Sequence, residues 1–323
     1  MPIINNRKES QKIFEKAAEN NVSVAIFCTA SHWNTEAILL AAQRYAESHG
    51  LETVPVVVAT TFTYKHMPQA KRFLYCKDPV AGFLSHYGHL EALCGSKYSP
   101  YKNVTVLPHL DHADPEADRW ALTVGTQYFS SVMFDAQRCP YDENLALTKE
   151  YVRQYGDDVL VEGIMEMLSV EGSATASRVD DYCVKAIEYI AQSKVDFLVA
   201  DLGTEQQTGA AGSAVYNKQR ALELTAALNR KMLVLHGASS LTEAQTKGLG
   251  EDGVVRVNMW TRIAREAGQY AAEKLDRRMD AVRRGDFNAA EANQYIDDNT
   301  EKAAEIMMEM MELFGYANWR PVG

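Results

Sequence analysis

Apolar residues in this chain gather into short β-type runs, and the stretches between them carry helical spacing. The runs at 22–27 (VSVAIF), 53–59 (TVPVVVA), 103–108 (NVTVLP), 129–134 (FSSVMF), 158–161 (DVLV), 195–200 (VDFLVA), 231–235 (KMLVL) and 253–257 (GVVRV) read as eight strands. Asn34-Thr35-Glu36 opens an apolar-periodic helix that runs to His49-Gly50. Pro140-Tyr141-Asp142-Glu143-Asn144 opens another, with proline in the first turn and acids near the N-terminus. Segments Thr175–Gln192, Asn217–Asn229 and Thr242–Leu249 complete the alternation.

Strands alternating with helices in this way predict a closed parallel (β/α)₈ barrel within a single domain, 1–323. Residues from about 280 to 323 read as a helical C-terminal extension. Its Met307-Met308-Glu309-Met310-Met311-Glu312-Leu313 run suits helix packing or an oligomer surface. The competing architecture is an open doubly wound sheet. No GxGxxG follows the first strand, which argues against a dinucleotide-binding version.

Composition narrows the class further. The 323 residues are 46% hydrophobic and 24% charged, an ordinary globular balance. A net charge of -10 disfavours general nucleic-acid binding. The five cysteines are scattered and lack CxxC spacing, so they read as reduced thiols of a cytoplasmic protein. The first residues show no signal-peptide core, and no apolar run is long enough to span a bilayer.

Polar residues collect at the ends of the predicted strands. His109, Asp111 and His112 follow the third, Asp135 the fourth, Glu162 the fifth, Asp201 and Gly203-Thr204-Glu205-Gln206 the sixth, His236 the seventh and Asn258 the eighth. In a barrel these ends converge on one mouth, where catalytic groups sit. His112 and His236 are the leading metal-ligand candidates, since neutral imidazole suits zinc and similar cations. Asp111 adjoins one of them and is a candidate general base. His109 shares the strand face of Asp111 and is either its orienting partner or a buried, hydrogen-bonded histidine. Gly237-Ala238-Ser239-Ser240, with Asn258 and Thr261, offers small residues, hydroxyls and backbone N–H groups that can hold a phosphate.

These segments, in this order, resemble the class II, metal-dependent fructose-bisphosphate and tagatose-bisphosphate aldolases. The carrying stretches are His109-Leu110-Asp111-His112; Ser131 to Asp135 followed by Pro140 to Lys149; Val161-Glu162-Gly163; Gly203-Thr204; Leu235 to Ser239; and Val257-Asn258 with Thr261. The resemblance implies that Asp111 is the general acid/base and that His112 and His236 are two of three zinc ligands. It implies an accessory cation at Asp135 and Glu162, and a phosphate held by Gly237, Ser239, Asn258 and Thr261. It further implies a small sugar substrate, phosphorylated, and a homodimer or homotetramer.

The chain departs from the family pattern at several positions. Gln206 stands where the family has its middle zinc histidine, and Gln207 where it has a glycine beside the phosphate. Ser31 replaces a substrate-touching asparagine, with His32 beside it. Glu205, Gln206 or His32 is then the candidate for the missing metal donor. Two classes of function stay open at this point. One is a metal-assisted aldolase acting on a ketose phosphate or a related ketose. The other is a diverged relative without aldol cleavage, either a sugar isomerase or epimerase or a non-catalytic binding subunit.

Overall fold

The computed structural model describes residues 3–166, 181–204, 215–286, 288 and 292–321. Eight strands pair in parallel and in chain order, and β1 closes on β8. They are β1 (Val24–Cys28), β2 (Val54–Thr60), β3 (Val104–Ala113), β4 (Ser131–Phe134), β5 (Leu160–Ile164), β6 (Phe197–Val199), β7 (Leu233–Leu235) and β8 (Val254–Met259). Every strand residue is buried, as expected where side chains fill the barrel on one face and pack under helices on the other. The (β/α)₈ expectation is met, and the open sheet is excluded by the β1–β8 pairing.

The helices are α1 (Arg7–Glu19), α2 (His32–His49), α3 (Pro79–Cys94), the single turn α4 (Arg119–Leu122), α5 (Tyr141–Tyr155), α6 (Tyr182–Ser193), α7 (Lys218–Leu228), the single turn α8 (Glu243–Thr246), α9 (Thr261–Arg283) and α10 (Ala292–Leu313). The expected start of α6 at Thr175 lies outside the described residues. The stretch expected as a helix over Thr242–Leu249 forms only one turn, because the chain then bends through Gly248 in a left-handed conformation.

Three strands run further than their sequence patterns suggest. β3 continues through the His-x-Asp-His segment to Ala113, β5 includes Glu162, and β8 includes Asn258. In each case ladder pairing with a neighbour outweighs the polar side chain.

The two ends of the chain meet at the strand starts. Arg7 Nη1 bonds Asp196 Oδ2 at 2.7 Å, and Phe14 packs edge-on against Phe197. Tyr316 donates to Pro55 O and accepts from Ala25 N, each at 2.9 Å, while Trp319 Nε1 donates to Thr53 O at 2.7 Å. Helix α10 packs on α2 and α9. Met307, Met310 and Met311 are buried there, so the methionine run is packing surface.

His86 of α3 is buried, stacks on Phe73 and places Nδ1 3.3 Å from Thr35 Oγ1. Burial, and then the charges of His32 and His89, push it down to about 3 from the ordinary 6.5. The unfolded chain therefore takes up a proton near pH 6.5 that the folded chain refuses until about pH 3. Stability contributed by neutral His86 is full above pH 6.5 and declines as pH falls below it, by about 1.4 kcal/mol per pH unit. Denaturant titrations between pH 6.5 and 4 should show a shallower acid loss in His86→Gln, which keeps a polar partner for Thr35 but does not titrate. Parallel curves for the two proteins would remove His86 as the source.

Candidate active site

The strand ends frame a cleft of about 350 Å³ whose walls include Cys28, Tyr64, Asp111, His112, His236 and Asn258. Its geometry starts with an irregularity in β3. His109 pairs with Ser131 and Leu110 with Val132, but the next match is Ala113 with Phe134. One extra residue on β3 is absorbed as a bulge, and His112 takes a φ of 47° in the left-handed region. Neighbours on a regular strand point to opposite faces. The bulge instead lets Asp111 and His112 line the same cleft.

Each histidine has one ring nitrogen turned toward a carboxylate. His112 Nδ1 lies 2.7 Å from Asp135 Oδ2, and the Gln137 side chain also donates to that oxygen at 2.8 Å. His236 Nε2 lies 3.6 Å from Glu162 Oε1, within ion-pair reach but beyond a hydrogen bond. Burial lowers His112, but the Asp111 charge and the Asp135 bond outweigh it, so its affinity for a proton is raised. Burial raises Asp135, yet the His112 bond and charge leave it lowered. Tyr64 stacks on the His112 ring, with centroids 4.2 Å apart and planes at 7°.

Asp111, His112 and His236 offer ligand atoms that all lie within 4.8 Å of one another. Asp111 Oδ1 is buried without a hydrogen-bond partner. An orphaned carboxylate oxygen beside two imidazoles fits a divalent cation. The second Asp111 oxygen accepts from the Cys28 thiol at 3.8 Å, and Cys28 also reaches Asn258 Oδ1 at 3.1 Å. Burial, and then the Asp111 charge, push the Cys28 thiol well up, so it stays protonated.

The phosphate candidates Gly237, Ser239, Asn258 and Thr261 line the same cleft. Gly237 is left-handed at φ 71°, and Thr261 begins the long helix α9. The N–H of Arg262 points at Ser239 Oγ from 3.4 Å. First-turn amides of a helix are natural anion partners.

Other expectations are redirected. Ser31 caps α2, accepting from Asn34 N at 3.2 Å and donating to Asn34 Oδ1 at 2.8 Å, and it is absent from the cleft wall. His32 sits against His89 and Phe73 and likewise does not line the cleft. Glu205 and Gln206 lie outside the described residues. The preceding Thr204 donates to His236 O at 2.6 Å, so the segment that carries them starts beside a ligand candidate. His109 bonds Ser131 Oγ at 2.8 Å inside the barrel, the buried structural role. Burial, and then the Arg256 charge, push His109 down to about 4.

Sequence reasoning missed Cys28, Tyr64, His66, Gln69, Arg72 and Arg265 of the cleft wall. Cys28 carried a usable signal, since it ends β1 as His236 follows β7. The loop residues from 61 to 72 carried none. Their placement depends on Thr61 N bonding Gln69 Oε1 and Gln69 N bonding Thr61 Oγ1, each at 3.0 Å.

Comparison with known proteins agrees with this geometry. The family model for fructose-bisphosphate aldolase class-II matches residues 8–319. A fructose-bisphosphate aldolase of Streptococcus pyogenes serotype M1 is 27% identical over 257 residues, 78% of each chain. A 6-phospho-5-dehydro-2-deoxy-D-gluconate aldolase of Bacillus velezensis is 27% identical over 297 residues, covering 88% of this chain and 87% of its own. In fold, the chain is similar to fructose-bisphosphate aldolase from Campylobacter jejuni, with TM-score 0.75, 15% identity and coverage of 98% and 97%. It is also similar to the YdjI aldolase from Escherichia coli K12, with TM-score 0.64, 18% identity and coverage of 94% and 95%. A match that takes in every barrel strand means that the chain belongs to the class-II fructose-bisphosphate aldolase family and is an aldolase-type lyase.

Proposed function

We propose that this lyase performs metal-assisted aldol cleavage and condensation of a phosphorylated ketose or a phosphorylated ketose acid. The observation that carries the reading is the convergence of Asp111, His112 and His236 within 4.8 Å, in a cleft whose wall also carries Ser239, Asn258 and Thr261. His112 and His236 would hold one divalent cation, zinc by the character of two imidazoles, with the third donor drawn from Glu205 or Gln206. Such a cation supplies Lewis-acid polarisation of a carbonyl when bound.

The chain's own groups do the rest. Asp111, with a buried carboxylate oxygen that lacks a partner, accepts the proton of the substrate's β-hydroxyl. As that O–H breaks, the new aldehyde C=O forms, the C–C bond breaks, and its electron pair stays on the carbon next to the ketone. Condensation runs the same steps in reverse. Asp135 and Glu162 orient the two imidazoles from behind. Ser239, Thr261 and the first-turn amides of α9 hold the phosphate. Among the described residues, Arg72 and Arg265 also line the cleft, against one carboxylate, Asp111. That balance favours an anionic substrate despite the net charge of -10. Both curated relatives compared above are aldolases, which supports cleavage over the isomerase or binding-subunit alternative.

Further parts of the reading are a cytoplasmic location, supported by scattered cysteines without CxxC spacing, and a homodimer or homotetramer. Trp33 at 41% and Leu84 at 40% exposure are apolar groups that subunit contact would cover. Among the described residues no helix is long and apolar enough to cross a membrane.

Asp111→Asn should cost at least about a hundredfold in turnover while zinc stays bound, a near-normal rate being the outcome that removes Asp111 from proton transfer. Asp135→Asn should weaken zinc binding by about 10–100-fold, measured by chelator competition. Unchanged affinity would show that Asp135 does not support His112. In retro-aldol assays across ketose phosphates and phosphorylated ketose acids, fructose 1,6-bisphosphate should rank low, because Gln207 replaces a glycine at the phosphate. Silence across the panel with metal bound would sink the cleavage reading.

A further inference from the structure

The resemblance implies a second cation held by Asp135 and Glu162. The structure gives Asp135 hydrogen bonds, and Glu162, neither of whose oxygens is hydrogen-bonded, an ion pair. Asp135 Oδ2 is taken by His112 Nδ1 at 2.7 Å and by the Gln137 amide at 2.8 Å. Glu162, with no side-chain exposure, lies between His236 Nε2 at 3.6 Å and Arg256 Nη1 at 2.8 Å. Its neighbour is thus already a cation, and one as fully buried as itself.

Arg256 is fixed on several sides. Its Nη2 donates to Ser131 Oγ at 3.0 Å. Its guanidinium carbon lies 4.8 Å from the Phe14 ring centre and 4.9 Å from that of Phe197. Phe14 belongs to α1, so this helix pins the guanidinium from the strand-start end. A metal ion bound to Glu162 would need to come within roughly 2.0–2.6 Å of its oxygens, close beside the guanidinium's own positive charge. The two cations would repel in a dry interior that screens little.

We propose that Arg256 is the built-in cation of this site: its guanidinium takes the place of an accessory ion at Glu162 and keeps that carboxylate facing His236. Arg256 is then a positioning residue, acting on the metal through Glu162 and His236. The protein has one exchangeable divalent ion per chain and needs no further cation. Lysine keeps the charge but lacks the fork that reaches Glu162 and Ser131 together. The effect on metal affinity rests on the metal reading above, whereas the replacement of the accessory ion does not.

The test uses the full chain, loaded with excess zinc and desalted. Expected are one zinc per chain by elemental analysis, and a zinc affinity and thermal midpoint that are the same in potassium and in tetramethylammonium at equal ionic strength. Arg256→Met should bind zinc at least about tenfold more weakly, with partial recovery on adding potassium or guanidinium ions, while Arg256→Lys retains most of the affinity. A merely structural arginine would give no such ion-specific recovery. A second zinc in the wild type that Glu162→Gln removes, a potassium requirement in the wild type, or wild-type affinity in Arg256→Met would each overturn the proposal. If Arg256→Met does not fold, the wild-type stoichiometry and ion response together with Arg256→Lys decide it. If the wild type binds no zinc at all, the metal reading falls, and the ion response of the midpoint still judges the guanidinium. A wild-type midpoint raised by potassium overturns the proposal, and one indifferent to it supports the proposal.

Discussion

The bend in β3 at His112 is the constraint on which the site depends. A left-handed backbone at a residue with a side chain costs roughly 1–2 kcal/mol. A regular strand would avoid that cost and would turn either Asp111 or His112 away from the cleft. The surroundings that hold the bend are specific. Ala113 is forced into register with Phe134, Asp135 grips the ring from one edge, and Tyr64 lies flat on its face. The strain is kept in place by contacts that over-determine it.

Around this bend the interior is organised as matched charges. Arg256, Glu162 and His236 form one buried line, and Asp135 and His112 form another. Burial alone raises the Glu162 carboxyl, but the Arg256 charge and the neighbouring His236 hold it down at about 2. Removing one member of such a set leaves an uncompensated buried charge, which is why these residues form a unit and not a collection of independent contacts. Among the described residues, α1 and α10 contribute no side chain to the cleft wall. They matter by closing the opposite end, so that the charged line stays dry.

Much of this architecture was legible in the residues. The eight apolar runs marked eight real strands, and His112, Asp111 and His236 come together because polar residues at strand ends share one mouth. The limits are equally physical. A pattern of apolar residues shows where a strand starts but not how far a polar segment is carried by its neighbours, so β3, β5 and β8 were each drawn too short. Helix α3 went unread although Asp78 and Pro79 cap it in the ordinary way. Ser31 was assigned to the substrate because its position matched, but a serine three residues before an exposed helical N–H is a cap first. Arg256 was hidden inside an apolar strand. Its alternation with Asn258 would have placed it on the inner face, but not named Glu162 as its partner.

The seal at the strand starts also bears on how the chain is made. Tyr316 ties Ala25 to Pro55 across a separation of 291 residues from its first partner. Arg7 reaches Asp196 across 189 residues. Contacts this distant in sequence reward folding only after long loops have been closed. During synthesis, β1 and β2 therefore emerge with one end uncovered, and their cover follows only after the whole barrel. For most of that interval the nascent barrel presents open apolar strand starts, the kind of surface that chaperones hold and that otherwise drives aggregation.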